Sequence, residues 1–127
     1  MNWYLTAAAL LAFFVGLVHS VLGEHLLFRH MRAGTFVPTN GLPVLGERHV
    51  RILWGSWHLV TVMGWCIGAV LILLARTPPT NPLYSNLATI IIATTLVSSL
   101  LVCVATKGRH PGWIGLLLIA LLTLAGR

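Results

Sequence analysis

Three long apolar stretches dominate the chain: Trp3 to Gly23, Ile52 to Ala75 and Leu83 to Thr106. A helix needs about 20 mostly apolar residues to cross a hydrocarbon core, and each stretch meets that length. Backbone polar groups in lipid must be satisfied internally, so such runs fold as membrane helices. A fourth run, Trp113 to Gly126, has 14 residues and reaches only ~21 Å. It spans if its helix begins near His110, if the bilayer thins, or if Arg127 snorkels outward. The sequence therefore predicts an all-α polytopic membrane protein. One domain over residues 1–127 holds four transmembrane helices, about 3–23, 52–75, 83–106 and 110–126, in an up-down-up-down bundle.

Composition closes off the alternatives. Charged residues make up 8% of the chain, against roughly 25% in a soluble domain. They cannot coat a water-exposed globule, and a chain that is 57% hydrophobic is not disordered. No nucleophile elbow, carboxylate pair or phosphate loop is present, so the reading leans away from an enzyme.

The basic residues set an orientation. Arg29, Arg32, Arg48 and Arg51 lie in the first connection and Lys107 and Arg109 in the third, while Arg76 and Arg127 lie on the other side. The positive-inside rule places the first and third connections in the cytoplasm and both termini outside, as in a bacterial inner-membrane protein. The N-terminal apolar run is too long for a signal peptide and has no basic region before it, so it is expected to be retained. The net charge of +6 then reports topology and attraction to anionic headgroups, not nucleic-acid binding.

The connections differ in kind. Arg76 to Pro82 and Lys107 to Pro111 are tight, with prolines and Gly108 suited to helix ends. The first connection is long. Glu24 to Arg32 mixes apolar and basic residues and is expected to lie along the interface as an amphipathic segment. Ala33 to Gly46 holds Pro38, Asn40, Gly41 and Pro43 and reads as an irregular loop.

Each of the first three helices carries a stripe of small or polar residues. Ala8, Ala12, Gly16 and Ser20 repeat every four positions, a spacing that lets helix backbones approach closely. Arg51, Trp54, His58, Thr61, Trp65 and Gly68 share a face of the second helix, and Thr95, Ser99, Cys103 and Thr106 share one of the third. Toward the cytoplasmic end His19, His58 and His110 come to similar depths, with Glu24 and Cys103 nearby. Ionisable groups in membrane helices are costly and tend to mark function. Three imidazoles at one level suit a divalent transition metal completed by Glu24 or Cys103, and two on facing helices suit haem b. The bland alternative is that these histidines bond carbonyls or headgroups, with His110 capping the fourth helix. Glu24 is also expected to pair with Arg51 or Arg109 and pin the first helix to its neighbours. Cys66 reads as packing, Trp3, Trp54, Trp57 and Trp113 as an aromatic belt, and Trp65 as a packed side chain.

Three strings carry a resemblance: Gly16-Leu-Val-His-Ser20 leading to Leu22-Gly-Glu24, Arg51-Ile-Leu-Trp-Gly-Ser-Trp-His58, and Gly108-Arg-His-Pro-Gly-Trp113. Together they resemble a group of small bacterial inner-membrane proteins with four predicted helices, a resemblance that brings no activity with it. Arg109-His-Pro-Gly-Trp-Ile-Gly115 is similar to the donor-holding string of isoprenylcysteine-type membrane methyltransferases. Trp113 replaces that family's tyrosine, and 12 residues after Gly115 leave no room for the rest of its pocket. Three functions remain as expectations. One is a haem- or metal-binding bundle. Another is a non-catalytic subunit of a larger membrane complex. The last is a small homo-oligomeric transporter titrating through Glu24 and His19.

Overall fold

The computed structural model describes the backbone of residues 1–127 and every side chain except that of Leu42. Four α-helices follow in order: α1 (Trp3–Leu26), α2 (Glu47–Arg76), α3 (Pro82–Ala105) and α4 (Gly112–Ala125). The first three are long and apolar enough to cross a membrane, and α4, with 14 residues, is shorter.

Two boundaries differ from expectation for physical reasons. α1 runs on through Glu24 and His25 to Leu26, and a short 3-10 turn, Phe28–Met31, follows. The expected interfacial segment is thus the end of α1 plus that turn. α2 starts at Glu47, whose carboxylate in the first turn favours the positive helix end. Its 30 residues extend ~45 Å, past a hydrocarbon core of about 30 Å, so its charged first turns suit the headgroup zone.

By contacts the chain forms two compact units, Met1–Val15 with Gly64–Arg127, and Gly16–Met63. In the first, small residues of α1 make the core possible. Ala8, Ala9 and Ala12 bury beside Leu71, Leu74, Tyr84 and Ile119, drawn from all the other helices. A Cβ at Gly68 would stand 3.0 Å from Phe13 Cε2 and 3.3 Å from the Ala9 carbonyl oxygen. The helix ends are closed locally. The Asn81 side chain accepts the Leu83 N–H at 2.9 Å, with Pro82 opening α3. At the far end of α3, Lys107 (φ 52°) and Gly108 (φ 73°) turn left-handed, and the Gly108 N–H reaches the Cys103 carbonyl at 2.8 Å. The α3 stripe is satisfied internally: Thr95 donates to the Ile91 carbonyl and Ser99 to that of Trp113, both at 2.7 Å. Trp65 donates to the Phe13 carbonyl at 3.1 Å, and Cys66 stands exposed rather than packed.

The second unit comprises the C-terminal part of α1, the N-terminal part of α2 and the connection between them. Phe28 and Val50 are fully buried there. The irregular loop is tied back where the N–H groups of Thr39 and Asn40 donate to the Met31 carbonyl at 3.0 and 2.9 Å. A second 3-10 turn, Leu42–Val44, precedes α2.

Candidate functional site

Ionisable and hydroxyl side chains of the second unit meet around Glu24. Helical spacing explains the convergence from each side. Ser20 and Glu24 lie one turn apart on α1, and Trp54, His58 and Thr61 follow at three-four intervals on α2. One Glu24 oxygen takes a charge-assisted hydrogen bond from Arg32. The other accepts the Trp54 indole N–H at 3.3 Å and lies 3.7 Å from His58 Nε2. Glu24, Arg32 and His58 are all half-buried.

From His58 the polar contacts continue along the helices. His58 Nδ1 and Ser20 Oγ are 2.8 Å apart, Ser20 Oγ and Thr61 Oγ1 are 2.8 Å apart, and Thr61 reaches the Gly16 carbonyl at 3.3 Å. His58 Nε2 is buried and has no hydrogen-bond partner among the described residues. The Glu24 carboxylate is the polar group it faces, so the neutral ring favours its hydrogen on Nε2. Nδ1 then accepts from Ser20, and Ser20 from Thr61. With a hydrogen on Nδ1 the order is reversed: Nδ1–H donates to Ser20, Ser20 to Thr61, and Thr61 to the Gly16 carbonyl. The Ser20 and Thr61 hydroxyls find acceptors in either order, while Nε2 stands 3.7 Å from the Glu24 carboxylate.

Aromatic rings wall the chain. The His19 ring stacks on Trp57 at 4.4 Å and 8°, and the Trp57 indole N–H donates to the His19 carbonyl at 3.0 Å. Gly23 makes this approach possible, since a Cβ there would lie 2.1 Å from Trp57 Nε1. Phe28 meets Trp57 edge-on at 5.7 Å, and Trp54 meets His58 edge-on at 4.9 Å. Outside them Arg32 donates to the Phe36 carbonyl and lies over the Phe36 ring at 5.3 Å, while Phe36 meets Trp54 at 5.9 Å.

The expected ligand set of His19, His58, His110, Glu24 and Cys103 is not assembled. Among the described residues no three His, Cys, Asp or Glu side chains form a group able to hold a metal ion. His110 and Cys103 belong to the other unit. There His110 Nδ1 accepts the Gly112 N–H at 3.0 Å, next to the start of α4. The metal or haem centre finds no support in this geometry. The ion pairs also differ: Glu24 takes Arg32, not Arg51 or Arg109. Arg51 takes Glu47 at 2.8 Å, because the early start of α2 sets those two one turn apart. Trp54 and Trp57, expected as belt residues, spend their N–H groups inside the unit. Trp113 turns its own N–H to the Gly108 carbonyl at 3.2 Å.

Sequence reasoning missed Ser20 and Arg32. Ser20 reads as one more small residue in a packing stripe, although its offset of four from Glu24 puts both on one helix face. Arg32 reaches Glu24 only through the 3-10 turn, which leaves no periodic signal.

The order Ser20, His58, Glu24 invites comparison with a serine-hydrolase triad. Ser20 sits inside α1, where the helix consumes the backbone N–H groups an oxyanion hole would need, and Arg32 already engages the carboxylate. No family model, curated protein or solved structure matches the chain.

Proposed function

We propose that the protein is a small proton-translocating membrane protein acting as a homo-oligomer, with Glu24 and His58 as its proton-binding pair. The observation that carries this reading is the run of polar contacts in which Glu24 stands 3.7 Å from His58 and hydrogen bonds continue from His58 through Ser20 and Thr61 to the Gly16 carbonyl. The Ser20 and Thr61 hydroxyls can each donate or accept, which supports proton exchange with His58, while the Gly16 carbonyl, an acceptor only, orients Thr61 and carries no proton. Three helices able to span a bilayer supply the setting. In this reading the pair lies at the cytoplasmic face of a bacterial inner membrane with both termini outside, an orientation that the basic residues of the first and third connections support. His58 thus takes the titrating role that position alone suggested for His19. Two strings that resemble the small four-helix membrane proteins, around His19–Glu24 and Arg51–His58, meet in this site.

The test is proton flux into vesicles containing the purified protein and a pH-sensitive dye, driven by a potassium diffusion potential. Wild-type protein is expected to carry protons. Glu24→Gln and His58→Gln are each expected to reduce the flux at least tenfold, and Ser20→Ala to reduce it less. Flux no greater than in empty vesicles, or unchanged in the Glu24→Gln/His58→Gln double variant, overturns the proposal.

A further inference from the structure

The chain has two acidic residues, and both are committed: Glu24 to Arg32 and Glu47 to Arg51. Arg29 and Arg48, exposed in the same unit, therefore meet no carboxylate among the described residues. The polar contact of Arg29 is with His30 Nε2 at 3.4 Å, a neighbour that brings no negative charge. Both arginines flank a connection that also exposes large apolar groups. Phe36 is 77% and Val44 87% accessible, although Phe28 and Pro38 of the same connection are buried. That connection joins two helices able to cross a bilayer, α1 and α2, so it emerges at the membrane surface.

We infer that this connection docks on anionic phospholipid headgroups, with Arg29 and Arg48 holding phosphate and Phe36 and Val44 entering the acyl boundary. Guanidinium suits the task because its planar fork binds phosphate in two-point contacts. Apolar side chains beside basic ones are the composition that seats a segment in the interface plane. A protein partner would have to bring its own carboxylates and cover Phe36 and Val44. The bilayer supplies phosphate and acyl chains at that depth already.

The purified full chain, in detergent, is titrated with phosphatidylglycerol and separately with phosphatidylcholine, and bound lipids are counted by native mass spectrometry. Tighter binding of phosphatidylglycerol is expected. Each guanidinium near an anionic surface contributes roughly fivefold, so R29Q/R48Q should bind about 30-fold more weakly. R29K/R48K, which keeps the charge but loses the two-point fork, should fall between wild type and R29Q/R48Q, and thermal unfolding of R29Q/R48Q at the wild-type temperature shows that its loss is not one of folding. K107Q/R109Q removes the same charge from the other unit and should cost less. Equal affinity for the two lipids, or a loss in K107Q/R109Q as large as in R29Q/R48Q, overturns the inference.

Discussion

Gly23 and Trp57 show how much one missing methyl group decides. The indole lies across the bare backbone of α1, donates to the His19 carbonyl at 3.0 Å and stacks on the His19 ring. Gly23→Ala forces that indole away, and overpacking of this kind costs about 1–3 kcal/mol. Thermal unfolding in detergent should fall accordingly. In Gly23→Ala/Trp57→Ala the loss should be smaller than the sum of the two single losses, since the clash partner is gone. Gly23→Ala unfolding with the wild type would show that the contact is absent. Thr61→Val keeps the shape of a buried side chain while removing the hydroxyl that extends the chain from Ser20. It should cost about 1 kcal/mol in stability and also lower proton flux, a pairing that simple loss of packing does not produce. The individual residues were only partly legible in sequence. His58 and Glu24 stand out because ionisable groups are scarce, whereas Ser20 hides among the alanines and glycines of a packing stripe.

At the scale of elements, helix content follows from the apolar runs with little else needed. The starts and ends depend on details that hydropathy does not register. Glu47 to Arg51 looks like loop because it is charged, yet it forms the first turns of α2, and only that extension brings Arg51 to Glu47 rather than to Glu24. Close approach of α1 and α2 in the first unit rests on Gly68. Gly68→Leu should lower stability by about 3 kcal/mol or more, whereas Gly64→Ala, with nothing within 4 Å of its added Cβ, should cost nothing measurable. Matched unfolding curves of the two variants check this, and equal losses would contradict it. The connection has its own fastening. Arg32 donates both to Glu24 and to the Phe36 carbonyl, so Arg32→Gln should release residues 33–36. Amide exchange at Thr39 and Asn40, whose N–H groups bond the Met31 carbonyl across this loop, should rise about tenfold or more, as expected for losing a hydrogen bond to a charged group, while exchange within α1 stays unchanged. Exchange identical to wild type would show that Arg32 does not hold the loop. Such a fastening is invisible in sequence, because Glu24 and Arg32 are separated by eight positions that include a turn of unmarked geometry.

On the scale of the whole molecule, scarcity of charge organises everything. Apolar side chains such as Phe14, Met63 and Leu101 are exposed along the three long helices, as a lipid-facing surface requires. The polar groups of the second unit instead turn toward one another, and that inward turn makes a relay possible. Three helices apolar enough to cross a membrane were therefore readable from the sequence almost at once. Similar depth of the histidines suggested one shared centre, but depth does not specify the rotation of each helix. His110 accepts from the first residue of α4, while His58 joins the chain through Ser20. The most direct measurement is nitrogen-15 NMR of the His58 ring in lipid nanodiscs. The neutral ring should carry its hydrogen on Nε2, with the Nδ1 resonance moved by Ser20→Ala and the Nε2 resonance by Glu24→Gln. A neutral ring protonated at Nδ1, or one indifferent to both substitutions, would contradict the relay.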